Sequence, residues 1–224
     1  MSDATLGPGP ITRVRRLPEK ARYDADVVNA ILDEARLCHV AAFVNGLAMT
    51  LPTLHAREGR TLYLHGSKSN AVMKAILDDG RASVTVTLYD GLRLARSGFE
   101  SSIAYRSVVV VGRVNQVDDG EEKRRILDFF VDSILPGRSR EVRPMSDLEL
   151  RLTMVLALSI DEASAKVSSG PTDDVLEDLD LPIWSGVVPA RVHFDAPVPS
   201  EDGAMASGTI NVPPSVQRLL DEQT

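Results

Sequence analysis

Apolar and polar positions along the chain change period several times, and each change predicts an element. Val27, Val28, Ile31, Leu32 and Ala35 recur at helical spacing behind Asp24, a good N-cap, so an amphipathic helix is expected from about Ala25 to Ala35. Cys38 to Val44 then reads as a strand, Asn45-Gly46 as a hairpin turn and Leu47 to Ala56 as the returning strand. Pro52 has no N–H for a ladder, so it signals an edge or a bulge in that strand. After a turn at Glu58-Gly59, Thr61 to His65 forms a third strand. Thr61, Tyr63 and His65 fall on one of its faces, and Leu62 and Leu64 on the other. Gly66 turns the chain into a helix that starts near Ser69, carries Val72, Met73, Ile76 and Leu77 on one face, and closes at Asp79-Gly80.

The second half is richer in strands. Ala82 to Tyr89 alternates, with Val84, Val86 and Leu88 opposite Ser83, Thr85, Thr87 and Tyr89. Asp90-Gly91 predicts a turn, Leu92 to Ser97 a short strand, and Ser101 to Ala104 a single helical turn. Tyr105 to Val117 is the longest strand, its β-branched run suited to burial on both faces, with Gly112 marking a bulge or barrel corner. Asp118 or Asp119 caps a helix bearing Ile126, Leu127, Phe130, Val131 and Ile134, whose charged start reads as a solvated face. Ser146 to Glu149 is a capping-box pattern. Thr153 to Ile160 reads as the last core strand, Lys166 to Pro171 as a loop, and the acidic run Asp173 to Asp180 as exposed. A final short helix is expected near Ser215 to Leu220.

Strands that follow one another directly, with helices inserted at two points, predict a mainly β fold: a small antiparallel barrel with helical caps, not βαβ winding. Three segments are expected: a flexible tail over 1–12, one barrel domain over 13–190, and an extended C-terminal segment over 191–224 packing on the barrel.

Composition narrows the class. Aromatic residues make up 4% of the 224 residues, so the core must be aliphatic. A net charge of -7 argues against a nucleic-acid partner. Cys38 is the single cysteine, which rules out an intrachain disulfide and, within its apolar run, predicts a buried inert thiol. No apolar stretch approaches the ~20 residues that span a bilayer, so no membrane partner is expected. The N-terminus lacks the apolar middle of a signal peptide, and a cytoplasmic location is the expectation.

The best anion site is Gly66-Ser67-Lys68-Ser69. It joins a strand end to a helix start, where free N–H groups and a partial positive charge favour phosphate. Two hydroxyls and a lysine add donors. The plainer reading makes Ser69 an N-cap and Lys68 a solvated cation, and the residues leave both open. There is no P-loop and no dinucleotide fingerprint. His39, His55, His65 and His193 are scattered without zinc spacing, which sets aside metal and hydrolase chemistry as first choices. His65 is a candidate acid or ligand, or a hydrogen-bonded structural residue. Arg106, beside Tyr105 at a strand start, either points into a cleft or lies on the surface.

Several segments, in order, resemble the flavin-nucleotide-binding proteins related to pyridoxamine 5'-phosphate oxidase, with the Nim-type reductases among their relatives. They are Leu32-Asp33-Glu34-Ala35 with Cys38-His39-Val40, Pro52-Thr53-Leu54, Leu62-Tyr63-Leu64-His65-Gly66-Ser67, Val84-Thr85-Val86-Thr87, Asp90-Gly91-Leu92, Leu94-Ala95-Arg96-Ser97, Tyr105-Arg106-Ser107, Ala165-Lys166-Val167 and Pro182-Ile183-Trp184-Ser185-Gly186-Val187. The set covers roughly residues 13 to 190. The resemblance implies an FMN-binding split β-barrel that forms a homodimer with FMN at the subunit interface. It implies that Met49, Thr50, Leu51, Pro52 and Thr53 lie along the flavin ring, that Ser67, Lys68 and Ser69 meet the phosphate, and that His65, lining the cleft, and Gly66 belong to the same cofactor set. Tyr105, Arg106 and Ser107 would reach the flavin from the partner, with Ser97, Lys166 and Trp184 completing the cofactor set. The sequence departs from the pattern at Ser168, where relatives carry arginine, and at Asn70-Ala71, where they carry Ser-Arg, which leaves Lys68 as the main local cation. The C-terminus does not match the substrate-binding end of true pyridoxamine phosphate oxidases, so that activity is not assigned. An FMN-dependent oxidoreductase is the first expectation, with His65 the candidate catalytic residue. A non-catalytic FMN store, or the same barrel holding a deazaflavin (F420) or haem, is the alternative.

Overall fold

The structure, a computed structural model, describes residues 6–201 and 210–222. Nine strands build one antiparallel sheet that curls into a partly closed barrel. They are β1 (Ala21–Arg22), β2 (Leu37–Val44), β3 (Leu47–Glu58), β4 (Thr61–Ser67), β5 (Arg81–Leu94), β6 (Ser102–Gln116), β7 (Thr153–Ser159), β8 (Glu162–Ser168) and β9 (Gly186–Pro189). The helices are α1 (Ala25–Glu34), α2 (Ala71–Asp79), α3 (Gly120–Ile134), α4 (Asp147–Leu152) and α5 (Pro214–Asp221).

The barrel splits along β6. Tyr105 to Val111 pair with β8, while Val114 to Gln116 pair with β7. Gly112 sits at the switch, where a Cβ would lie 1.6 Å from the carbonyl oxygen of Ser159. Only glycine lets the two backbones approach this closely. The main core inside the barrel is aliphatic, as the composition requires, with Val28, Leu32, Val40, Leu62, Leu64, Ile76, Val84, Val110, Leu156 and Leu158 fully covered. A second core forms outside the barrel, where Ile126, Leu127 and Phe130 of α3 cover Ala56, Tyr63 and Val155. The face split expected for β4 therefore holds: Leu62 and Leu64 point into the barrel, and Tyr63 points out under α3.

Several local expectations are corrected. Asp90-Gly91 is an irregularity within the single strand β5, and Gly91 (φ 141°) lets β9 pass close by. Ser102 to Ala104 are strand, not a helical turn. Lys166, Val167 and Ser168 belong to β8, a strand read as loop because its buried positions Ala163 and Ala165 are small. The acidic run is only partly free: Asp174 is bonded to the Arg96 guanidinium at 2.9 Å and to its backbone N–H. Within the expected tail, Leu6 is buried and exchanges backbone hydrogen bonds with Tyr23 and Ala163, while residues 1–5 lie outside the described residues. Cys38 is buried, and burial pushes its thiol up to about 12, which keeps it inert. Among the described residues no helix is long and apolar enough to cross a membrane.

Candidate functional site

The site begins with a ladder that stops early. β3 pairs with β2 from Leu47 to Leu54, but it pairs with β4 only from His55 to Glu58. Continuing that register would set Pro52 opposite Ser67. The ladder ends before this, and Pro52 brings no N–H to extend it. Leu47 to Thr53 is thus an open strand edge, with backbone groups unpaired by β4. Pro52 therefore does mark an edge, without a bulge in its β2 pairing.

Across this gap β4 turns off into α2. The helix starts one residue later than expected: Asn70, not Ser69, is the N-cap, its side chain accepting from Val72 N–H at 2.9 Å and Met73 N–H at 3.2 Å. That frees Ser69 for the turn. Ser67 Oγ and Ser69 Oγ lie 2.8 Å apart, and Ser69 N–H donates to Ser67 Oγ at 3.2 Å. Ser67, Lys68 and Ser69 are all exposed. The turn has a second cation that the sequence reading missed. Lys123 of α3 is buried and donates to the Leu150 carbonyl at 2.6 Å. Burial lowers its proton affinity first, and the nearby Lys68 charge lowers it further, against the pull of Asp118. Its spacing with Ile126, Leu127 and Phe130 places it on the apolar stripe of α3, a signal that the solvated-face reading passed over.

The outer face of the barrel carries the next group. Register places Thr50 and Pro52 beside Ala41 and His39, and then Thr85, Thr87, Tyr105 and Ser107 across β5 and β6. Lys166 pairs opposite Ser107 and donates to the Arg16 carbonyl at 3.3 Å. Arg106 does not join this face. Alternation turns it toward α1, where it bonds Glu34 and, at 2.8 Å, Asp90; these partners raise its pKa. Its guanidinium is thus held between Glu34 and Asp90. Ser97 accepts from Glu100 N–H in a loop after β5, and Trp184 is exposed beside Gly186 of β9. Both lie at the β5–β9 end of the sheet, Ser97 just past Leu94 and Trp184 just before Gly186.

His65 stands apart from both groups. It lies on the outer face of β4, but α3 covers it, and its ring meets Phe130 edge-on at 4.4 Å. It lines a mainly apolar cavity of about 320 Å³ with Leu54, Leu127, Phe130, Val131, Ile134 and Met145, where Glu149 and Thr153 supply the polar part. A second cavity of about 320 Å³, which shares Leu54 and Ile134, is lined by Arg36, His55 and Arg57 and by Asp33 and Asp132, with Arg57 bonded to Asp33. His65 Nδ1 is buried without a hydrogen-bond partner, and burial holds the ring below its ordinary pKa. Among the described residues no cluster of three or more His, Cys, Asp or Glu is placed to hold a metal ion.

An antiparallel split barrel with an open outer edge facing a serine–lysine turn is a flavin-type binding fold, and the bare edge and hydroxyl turn fit a flavin ring and its phosphate. Residues 24–167 match the pyridoxamine 5'-phosphate oxidase family, and the chain belongs to that flavin-binding family. Among solved structures, the flavocytochrome Anf3 from Azotobacter vinelandii is 37% identical, with 94% of this chain and 96% of that one covered and a TM-score of 0.88. An FAD and haem binding protein from Mycobacterium smegmatis is 36% identical, with 89% and 97% covered and a TM-score of 0.83. A 5-nitroimidazole antibiotic resistance protein from Bacteroides thetaiotaomicron is 24% identical, with 66% and 86% covered and a TM-score of 0.56, a likeness of fold alone. No curated protein sequence matches the chain.

Proposed function

We propose that this chain is a redox protein that holds a flavin and a haem and acts as a homodimer. The observation that carries the flavin reading is the open β3 edge opposite the Ser67–Ser69 turn. Backbone groups from Met49 to Thr53 hold and orient the ring, and Ser67, Lys68 and Ser69 hold the phosphate. A bound flavin supplies electron or hydride transfer. Tyr105 and Ser107 on the bare outer face, and Trp184 on the β5–β9 extension, approach from a second copy, which closes the cleft to water. Two relatives more than one third identical are a flavocytochrome and an FAD and haem binding protein. The second supports the dinucleotide ahead of FMN, and both support haem as the second group.

The test is to purify the protein, record its visible spectrum and identify the released cofactors by mass. Flavin and haem absorbance together support the reading. No flavin signal, and no response to added FAD or FMN, would sink it. Turnover with reduced nicotinamide and a quinone acceptor separates a redox enzyme from a flavin store.

A further inference from the structure

We propose that His65 is the axial ligand of the haem iron and that the cavity under α3 receives the haem. This rests on the haem part of the proposed function, but the choice of residue comes from geometry. Four histidines compete for the role. His39 lies exposed on the bare outer face, paired opposite Pro52 and Thr85. His55 is buried, and its Nε2 is 2.8 Å from the Leu32 carbonyl, so that nitrogen carries the proton and is engaged. His193 is on the exposed C-terminal segment, with Nε2 3.9 Å from Asp195.

His65 alone combines a ring without a hydrogen-bond partner and a mainly apolar cavity. Its Nδ1 is buried without a partner, which leaves Nε2 as the nitrogen able to reach the cavity. Iron needs that nitrogen unprotonated, and no carboxylate is bonded to the ring to favour the charged form. The edge contact with Phe130 fixes the ring plane. Leu54, Leu127, Val131, Ile134 and Met145 give the apolar walls that a tetrapyrrole face requires, with Glu149 and Thr153 as the polar part of the lining. At about 320 Å³ the His65 cavity falls at the lower end of ligand-site volumes, roughly 300–1,000 Å³.

The experiment titrates hemin into the purified protein and into His65→Ala, His65→Gln and His39→Ala, following the Soret band, with flavin content and circular dichroism measured on the same samples. The expected result is a histidine-ligated Soret spectrum for the wild type and for His39→Ala. Both His65 variants keep their flavin and fold but lose that spectrum, with hemin affinity down more than about tenfold, since even groups that only hydrogen-bond to a metal ligand are worth that much. Added imidazole restores the band in His65→Ala. A His65→Ala protein with the wild-type spectrum and affinity overturns the assignment while leaving the haem reading intact. A wild-type protein that retains flavin but gives no specific Soret band overturns both.

Discussion

His65 and Phe130 meet edge to face, with ring centroids 4.4 Å apart and planes inclined at 64°. The contact couples β4 to α3 across the second core. Phe130 is almost fully buried there, beside Ile126, Leu127 and Val155. Phe130→Ala should therefore destabilise the fold by about 3–5 kcal/mol, as for other buried phenylalanines. Phe130→Leu should recover most of that loss, because it refills the space without restoring the aromatic edge. Urea midpoints of the three proteins check both expectations, and a Phe130→Ala loss under about 1 kcal/mol would show that α3 is not seated on the sheet.

Gly112 and Ser159 define the barrel split. The contact that a Gly112→Ala methyl would make is with a backbone oxygen at 1.6 Å, which no rotamer change relieves. The β6–β7 pairing must move apart, and the cost should reach at least the top of the overpacking range, about 3 kcal/mol. Gly120 is the natural control. It starts α3 with open space around it, so Gly120→Ala should be neutral or stabilise by up to about 1 kcal/mol. Equal stabilities for the two variants would contradict the backbone crossing at Ser159.

The elements legible in the sequence were those set by local chemistry. Asn45 and Gly46 adopt the positive φ values, 51° and 79°, that their hairpin requires. Ser146 and Glu149 cap α4 reciprocally, as their spacing announced. What was not legible depends on distant partners. Asp90-Gly91 has the composition of a turn, and β6 and β9 running on either side keep the strand continuous. Ala163 and Ala165 carry too little apolar signal to announce β8, whose ladder comes from β6. Arg106 lay beside Tyr105 in the sequence, but strand parity sends the two side chains to opposite faces. The face of His65 could be read from alternation, whereas its cover could not, since α3 lies more than fifty residues away in the chain. Lys123 was hidden by its charge in a helix start rich in charge.

Lys68 and Lys123 together make the turn positive. Lys68 is exposed and makes no side-chain hydrogen bond within the described residues, so Lys68→Ala should leave stability within about 0.5 kcal/mol of wild type. A charge-assisted contact to a phosphate is worth about 1.5–3 kcal/mol, so flavin affinity should fall by about tenfold or more. Lys123→Met should weaken flavin binding less, because its ammonium is already engaged by the Leu150 carbonyl. Fluorescence titration of the apoprotein with FAD and with FMN measures each. Unchanged affinity in Lys68→Ala would remove the Ser67–Ser69 turn from the phosphate site.

His55 and His65 make the cofactor-free fold sensitive to mild acid. Burial lowers the pKa of both rings from 6.5, more than the Leu32 carbonyl raises that of His55. Between the lowered folded values and 6.5, the unfolded chain binds more protons than the folded one. Stability therefore rises with pH through this window. It is complete above the unfolded pKa, declines as pH falls below 6.5, and stops declining once pH has passed the folded values. Carboxylates such as Glu149 and Asp161, held below their ordinary values of 4.5 and 3.8 by Arg143 and Arg113, act only in stronger acid. Urea midpoints of the apoprotein should thus fall from pH 8 to pH 5. His55→Gln and His65→Gln should each flatten the fall, and the double variant should remove most of it. A double variant with the wild-type slope would mean that other groups take up the protons.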